Sequence, residues 1–258
     1  MATISVSTAA SVARVTLARP DVRNAFNADV IAELRDTFTA LSSDDGVRAV
    51  VLAGEGPSFC GGADINWMRG ALELGYDENV ADAEAMSAMF RAIDRCSKPV
   101  IGRIHGAALG GGSGLTAVCD IAIAGDDALF GFTEVKLGII PAVISPFVLA
   151  KIGASHARAL FLTGERFGAA RAFAIGLVHQ VVPAAELDAA VQATVDHIMT
   201  AGPSAVAAAK ALVPRVLEAT YDETLSITAN AIAKQRTSPE GQEGLRAFLE
   251  RRKATFAQ

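Results

Sequence analysis

The chain has 258 residues, of which 51% are hydrophobic and 20% charged, and its formal net charge is −5. That length suits one domain, or one domain with a C-terminal extension, and a mean hydropathy of +0.34 suits a large buried fraction that includes subunit interfaces. The acidic balance excludes a nucleic-acid binder, because Arg251, Arg252 and Lys253 form the only basic triplet and read as a solvated helix end.

In chain order, alternation over 4–7 and 13–18 predicts two strands of a hairpin, stopped by Pro20. Asn27 or Asp29 caps a helix running to about Leu41, with Val30, Leu34 and Phe38 on one face. Residues 48–53 (RAVVLA) are a short apolar strand followed by a Gly-Glu-Gly-Pro turn. Helices follow over about 64–72 and 79–96, then a strand at 99–104, a glycine run opening a helix, and a strand at 121–124. This β–α–β alternation implies parallel strands with right-handed crossovers. After Gly153 the chain turns helical, over 156–162, 169–175, 187–200, 204–217 and 240–257, with 178–182 as the one strand. With aromatics at 6%, the core is built from Ala, Val, Ile and Leu.

Three scattered cysteines, Cys60, Cys96 and Cys119, form no CxxC pair and no framework, so the chain suits a reducing cytosol without disulfides or zinc. His105, His156, His179 and His197 have no ligand spacing, and no metal is expected. The opening MATISVSTAASVARV lacks a basic region followed by an apolar one, so no secretory signal is expected. No apolar run reaches the length of a membrane span, so a cytoplasmic location and no membrane partner are expected.

The stretch 107–141, AALGGGSGLTAVCDIAIAGDDALFGFTEVKLGIIP, is the richest in chemistry. Gly110–Gly112 stand at the start of a small-residue helix, where backbone N–H groups are unpaired and a ligand can approach closely. Glu134 is a lone acid in small, apolar surroundings, which raise a carboxyl's pKa by desolvation. Together they can hold an oxyanion and move a proton. Taken singly, each has a plainer account. The glycines also make a packed turn, and Glu134 would share a strand face with Lys136 and pair with it.

Five segments resemble one family. ARPDVRNAFN (18–27), PSFCGGADI (57–65), KPVIGRIHGAALGGG (98–112), CDIAIAGDDALFGFTEVKLGIIP (119–141) and LTGERFGAARAFAIGLVHQVV (162–182) are similar, in family order, to the crotonase or enoyl-CoA hydratase/isomerase superfamily. PAVISPFV (141–148) looks like bacterial methylglutaconyl-CoA and isohexenylglutaconyl-CoA hydratases. The resemblance implies an α/β crotonase-like spiral of ββα units, with two roughly perpendicular sheets and a helical C-terminal region. The core with the acyl-CoA site would span 1–195, and 196–258 would be a trimerisation region. It implies a homotrimer, or a hexamer built as a dimer of trimers. It also implies an acyl-CoA thioester as substrate, with coenzyme A part of that substrate and no separate cofactor.

The implied reaction is hydration of a 2-enoyl-CoA, branched or glutaconyl-type, in fatty-acid and branched-chain metabolism. The alternatives are a Δ3,Δ2-enoyl-CoA isomerase using the single Glu134, and a non-catalytic acyl-CoA-binding homologue. By motif, Ala63 and Gly111 donate the oxyanion-hole N–H groups and Glu134 is the acid/base. Gly114 departs from the two-acid pattern, since typical hydratases carry a second glutamate there. Neither Ser113 nor Asp120 replaces it: Ser113 is expected in helix packing and Asp120 in local backbone hydrogen bonds. Arg23, Asn24 and Ala25 would meet CoA phosphates and pantetheine, Asp64 and Ile65 the adenine, and Phe248 and Lys253 the 3′-phosphate from a C-terminal helix. Trp67, Met68, Leu72, Val143, Ile144 and Phe147 are the candidate acyl-pocket walls. A second carboxylate on the substrate would need a buried cation, for which Lys136 and Arg69 are candidates.

Overall fold

The computed structural model describes residues 2–257. Strands β1 (Ile4–Ala9) and β2 (Val12–Leu17) form the antiparallel hairpin, and Ala13, Val15 and Leu17 of β2 point into the core. Helix α1 (Ala28–Ser43) starts where the Asn27 side chain accepts from the Val30 N–H at 3.0 Å, so Asn27 and not Asp29 is the cap. Its apolar face buries Val30, Ile31, Leu34, Phe38 and Leu41. Then come β3 (Ala49–Gly54), α2 (Ile65–Ala71), α3 (Tyr76–Asp94), β4 (Val100–Ile104), β5 (Ala107–Leu109), α4 (Gly111–Val118), β6 (Ile121–Gly125) and β7 (Leu129–Gly131). The second half holds α5 (Ser145–Thr163), β8 (Arg166–Gly168), α6 (Ala169–Ala174), β9 (Gln180–Val182), α7 (Leu187–Met199), α8 (Pro203–Glu218), α9 (Tyr221–Thr237) and α10 (Pro239–Leu249).

Two sheets result. The larger has the order β1-β2-β3-β4-β6-β9 and is parallel from β2 onward; the smaller is β5-β7-β8. A parallel sheet is covered on both faces, and β3 records this by alternation. Ala49 and Val51 pack with Ile101, Ile123 and the α7 residues Leu187, Val191 and Val195. Val50 and Leu52 face the main core with Leu34, Phe38, Met89, Phe90 and Ile93. The C-terminal helices are tied on by polar contacts: Lys210 of α8 reaches the Asp120 carboxylate at 2.7 Å, and the Arg48 guanidinium donates to the carbonyls of Met199, Ala201 and Phe256.

Several sequence expectations change. The core, expected from Ala, Val, Ile and Leu, also buries Phe26, Phe38, Phe59, Phe90, Phe130 and Phe132, because a few large rings fill the space between elements, and β8 joins β9 as a second strand after Gly153. Residues 221–237 form a helix that periodicity missed, because the few apolar residues of α9 do not gather on one face. Its legible signal was the capping box of Thr220 and Glu223. The last helix ends at Leu249, not Ala257: Arg251 takes a left-handed φ of 55°, and Arg252 folds back onto Glu243 and Glu250 at 2.7 Å each. Helix α5 begins eleven residues before the expected His156, and Gly153 (φ 71°, ψ 163°) breaks it internally, which disguised the N-terminal part.

Candidate active site

A cavity of about 410 Å³ opens where the loop after β3, the β5–α4 turn and the segment after β7 converge. Gly61–Ala63 form one wall, Trp67 and Met68 of α2 a second, and Asp82 and Met86 of α3 a third. Gly110, Gly111 and Glu134 close the floor, and the run from Ile139 to Ile144 faces them. The volume falls in the range of small-molecule sites, and the lining is mostly apolar.

Two backbone N–H groups of residues lining this space, Ala63 and Gly111, have no partner among the described residues. The Phe26 N–H donates to the Gly62 carbonyl at 2.7 Å, and the Asp64 N–H donates to the Phe26 carbonyl at 2.8 Å. This bridge turns Gly62 and Asp64 toward Phe26, and Ala63 between them points its own N–H the other way. Gly111 is the first residue of α4, so its N–H has no carbonyl one turn earlier. The turn needs glycine. Gly110 has a φ of 52°, and a Cβ on Gly111 would run into the Phe26 ring.

Glu134 lies over that turn. A Cβ on Gly110 would stand 3.3 Å from its Oε1. Its Oε2 is buried with no hydrogen-bond partner. Burial raises its pKa above the ordinary carboxyl value, only partly opposed by its own backbone N–H. The pairing with Lys136 does not occur. Residues Glu134–Leu137 form a 3-10 turn instead of a strand, so positions two apart do not share a face, and Lys136 is exposed.

The missing second acid is a packing fact. Gly114 is buried in α4, and a Cβ there would overlap Ile144 Cγ2 and sit 3.1 Å from Phe90 Cε1. Ser113 is fully buried and its hydroxyl donates to the Ala108 carbonyl at 2.6 Å. Asp120 accepts from the Val100 N–H at 2.7 Å as well as from Lys210. Both are structural, as expected.

Of the remaining candidates, Trp67, Met68, Val143 and Ile144 line the cavity. Phe147 and Leu72 do not: Phe147 packs on Phe90 with ring centroids 5.8 Å apart, and Leu72 is exposed. Arg23 is exposed with a left-handed φ of 56°, and Ile65 is exposed beside the cavity wall. The Asn24 side chain is structural, accepting from the Arg19 N–H and donating to the carbonyls of Glu55 and Ser58. The Ala25 carbonyl already accepts from Arg19 at 2.6 Å. Asp64 is buried; it caps α2 and pairs with Arg19 at 2.8 Å. Burial pushes its carboxyl up, but Arg19 and the Asn66 and Trp67 N–H groups outweigh this and hold it below the usual range. Phe248 and Lys253 are exposed and do not line the cavity, and Lys253 lies past the helix end.

Sequence reading missed Asp82, Met86, Ile139 and Ile140 as cavity residues, because only the approach of α3 and the loop after Leu137 brings them there. It also missed Arg19, whose position inside ARPDVRN was the available signal.

Residues 7–258 match the family described as Enoyl-CoA hydratase/isomerase. The chain belongs to this family. Among its members, the chain is 37% identical to the crotonyl-CoA hydratase of Syntrophomonas wolfei, over 92% of this chain and 91% of that one. It is 34% identical to the short-chain-enoyl-CoA hydratase of Clostridium acetobutylicum, over 94% and 92% of the two chains. The solved structure of Pseudomonas aeruginosa AtuE superposes with a TM-score of 0.96 at 37% identity, covering 99% of this chain and 100% of that one. The enoyl-CoA hydratase/isomerase family thus accounts for the whole fold, and the expected crotonase-like spiral with a helical C-terminal region is the one found.

Proposed function

We propose that this chain is an enoyl-CoA hydratase that adds water to a 2-enoyl-CoA with a single carboxyl group. The observation that carries this reading is the position of Glu134 over the glycine turn, in one cavity with the free N–H groups of Ala63 and Gly111. A thioester oxygen between those two donors gains charge as water attacks C3. Donors held in place for that charge are worth about 3–4 kcal/mol each in comparable sites. The Glu134 carboxylate takes the proton from the attacking water, and the enolate then takes the same proton from Glu134 at C2. Hydroxyl and hydrogen enter from one face, and the carboxylate is regenerated. Its raised pKa suits a group that is base and then acid in one turnover. Hydratases among the relatives, named for crotonyl-CoA and short-chain enoyl-CoA, support this reading.

A second reading, isomerisation of a 3-enoyl-CoA, is favoured by Gly114. Proton transfer from C2 to C4 needs one carboxyl and no water. The retained carboxyl and both donors argue against a non-catalytic homologue. Within the hydratase reading, an uncharged acyl group fits better than a glutaconyl group. Among the described residues no Lys, Arg or His lines the cavity, and the two candidate cations, Arg69 and Lys136, are exposed. Assembly into trimers or hexamers through residues 196–258, in the cytoplasm, belongs to the same proposal. Leu217, Leu225, Phe248 and Leu249, each about 80% exposed on α8 to α10, support a covered face there.

Ultraviolet absorbance with crotonyl-CoA, 3-methylglutaconyl-CoA and a 3-enoyl-CoA tests the reading. Loss of the conjugated-thioester band with formation of a 3-hydroxyacyl-CoA is expected. A gain of that band from the 3-enoyl-CoA alone would assign the isomerase instead.

A further inference from the structure

The acyl cavity has two ionisable side chains, Glu134 on its floor and Asp82 on its α3 wall. The reaction uses only the first. Asp82 is half-buried among Trp67, Ala83 and Met86, and it makes no ion pair with any described residue. The one polar neighbour that acts on it is the Trp67 indole N–H; burial among these apolar groups outweighs that contact and raises its pKa. A carboxylate offers about four lone-pair positions, more than one indole N–H can meet. Among the described residues, the cavity that Asp82 lines has no cation.

We infer that Asp82 sets acyl specificity, favouring acyl groups that bear a hydroxyl or other hydrogen-bond donor and rejecting those that end in a carboxylate. This inference rests on the reading of the cavity as an acyl-CoA site. A donor on the acyl chain satisfies an acceptor that is otherwise left in an apolar wall. A carboxylate brought to the same wall meets a like charge and finds no compensating cation among the described residues. The rest of the lining, Met68, Met86, Ile139 and Val143, tolerates plain alkyl chains, so the discrimination falls on polar substituents.

The test is calorimetric titration with hexanoyl-CoA, 6-hydroxyhexanoyl-CoA and adipoyl-CoA, and with their octanoyl counterparts, so that chain length does not decide the outcome. The wild type is expected to bind the hydroxyl ligand about threefold or more tightly than the methyl one. It is expected to bind the carboxylate ligand about tenfold more weakly than the methyl one. Asp82→Asn, which keeps shape and removes charge, should bring the carboxylate and methyl ligands close to parity. Asp82→Leu should abolish the hydroxyl preference. Equal affinity of the wild type for the methyl and carboxylate ligands, or ratios unchanged in Asp82→Asn, overturns the inference. Because saturated ligands are bound and not turned over, a protein inert toward every enoyl-CoA would sink the hydratase reading while these ratios still decide the role of Asp82.

Discussion

Restoring a second glutamate by Gly114→Glu is expected to destabilise the protein before it can assist catalysis. The new Cβ overlaps Ile144 Cγ2 and lies 3.1 Å from Phe90 Cε1, so at least one of two buried side chains must move. Overpacking of this kind costs about 1–3 kcal/mol. A carboxyl placed there without a partner adds about 1–3 kcal/mol. The better helix propensity of Glu returns at most about 1 kcal/mol, so the unfavourable effects win. The net loss is near 3 kcal/mol at mid-range, which for a chain of this size lowers the melting temperature by roughly 10 °C. Thermal unfolding followed by circular dichroism reads this directly. Cutting Ile144 to Ala opens the space that the Glu needs, so the Gly114→Glu/Ile144→Ala pair should be more stable than the sum of the single changes by about 1–3 kcal/mol. If Gly114→Glu melts with the wild type, or the pair is merely additive, the packing argument for a single-acid site is wrong.

Glu134→Gln should lose turnover while still binding acyl-CoA, measured by the absorbance assay and by calorimetry. Its stability should depend on pH in a definite direction. The folded-state pKa of Glu134 lies above its unfolded value, so the folded protein holds the proton more tightly, and stability falls as pH rises from the ordinary value of 4.5 through the raised one. The Gln variant lacks that fall and should melt higher than the wild type at pH 8, with the gap closing toward pH 4.5; a gap that widens on acidification would reverse the sign. Arg19→Met removes the partner of Asp64 and the donor to the Ala25 carbonyl, both beside Ala63. It is expected to lose about 2 kcal/mol of stability and to lower kcat more than it raises KM, with unchanged kcat the contrary result.

How much was legible in the sequence follows from where each signal is written. Strand β2, α1 and strands β3, β4 and β6 appear at the expected places because each has a face buried along its length, so periodicity records them; β1, exposed beyond Ile4, is held by its pairing with β2. The three-residue strands β5, β7 and β8 carry too few residues for a period, and only pairing in the small sheet defines them. Helix α9 escaped because its few apolar residues do not gather on one face, whereas α8, equally without buried residues, keeps a one-sided apolar pattern.

The same division holds at the cavity. By itself the sequence determined the glycine turn and the lone acid Glu134, because backbone freedom and side-chain type are local properties; that Gly114 stands where an acid is expected came from the family resemblance. The tertiary structure decided that Glu134 stands over Gly110 and is not paired with Lys136, that Ile144 and Phe90 fill the space beside Gly114, and that Asp82 enters the cavity wall. Those are distances between segments far apart in the chain, set by how α3, α4 and the loop after β7 pack together, and no local pattern encodes them.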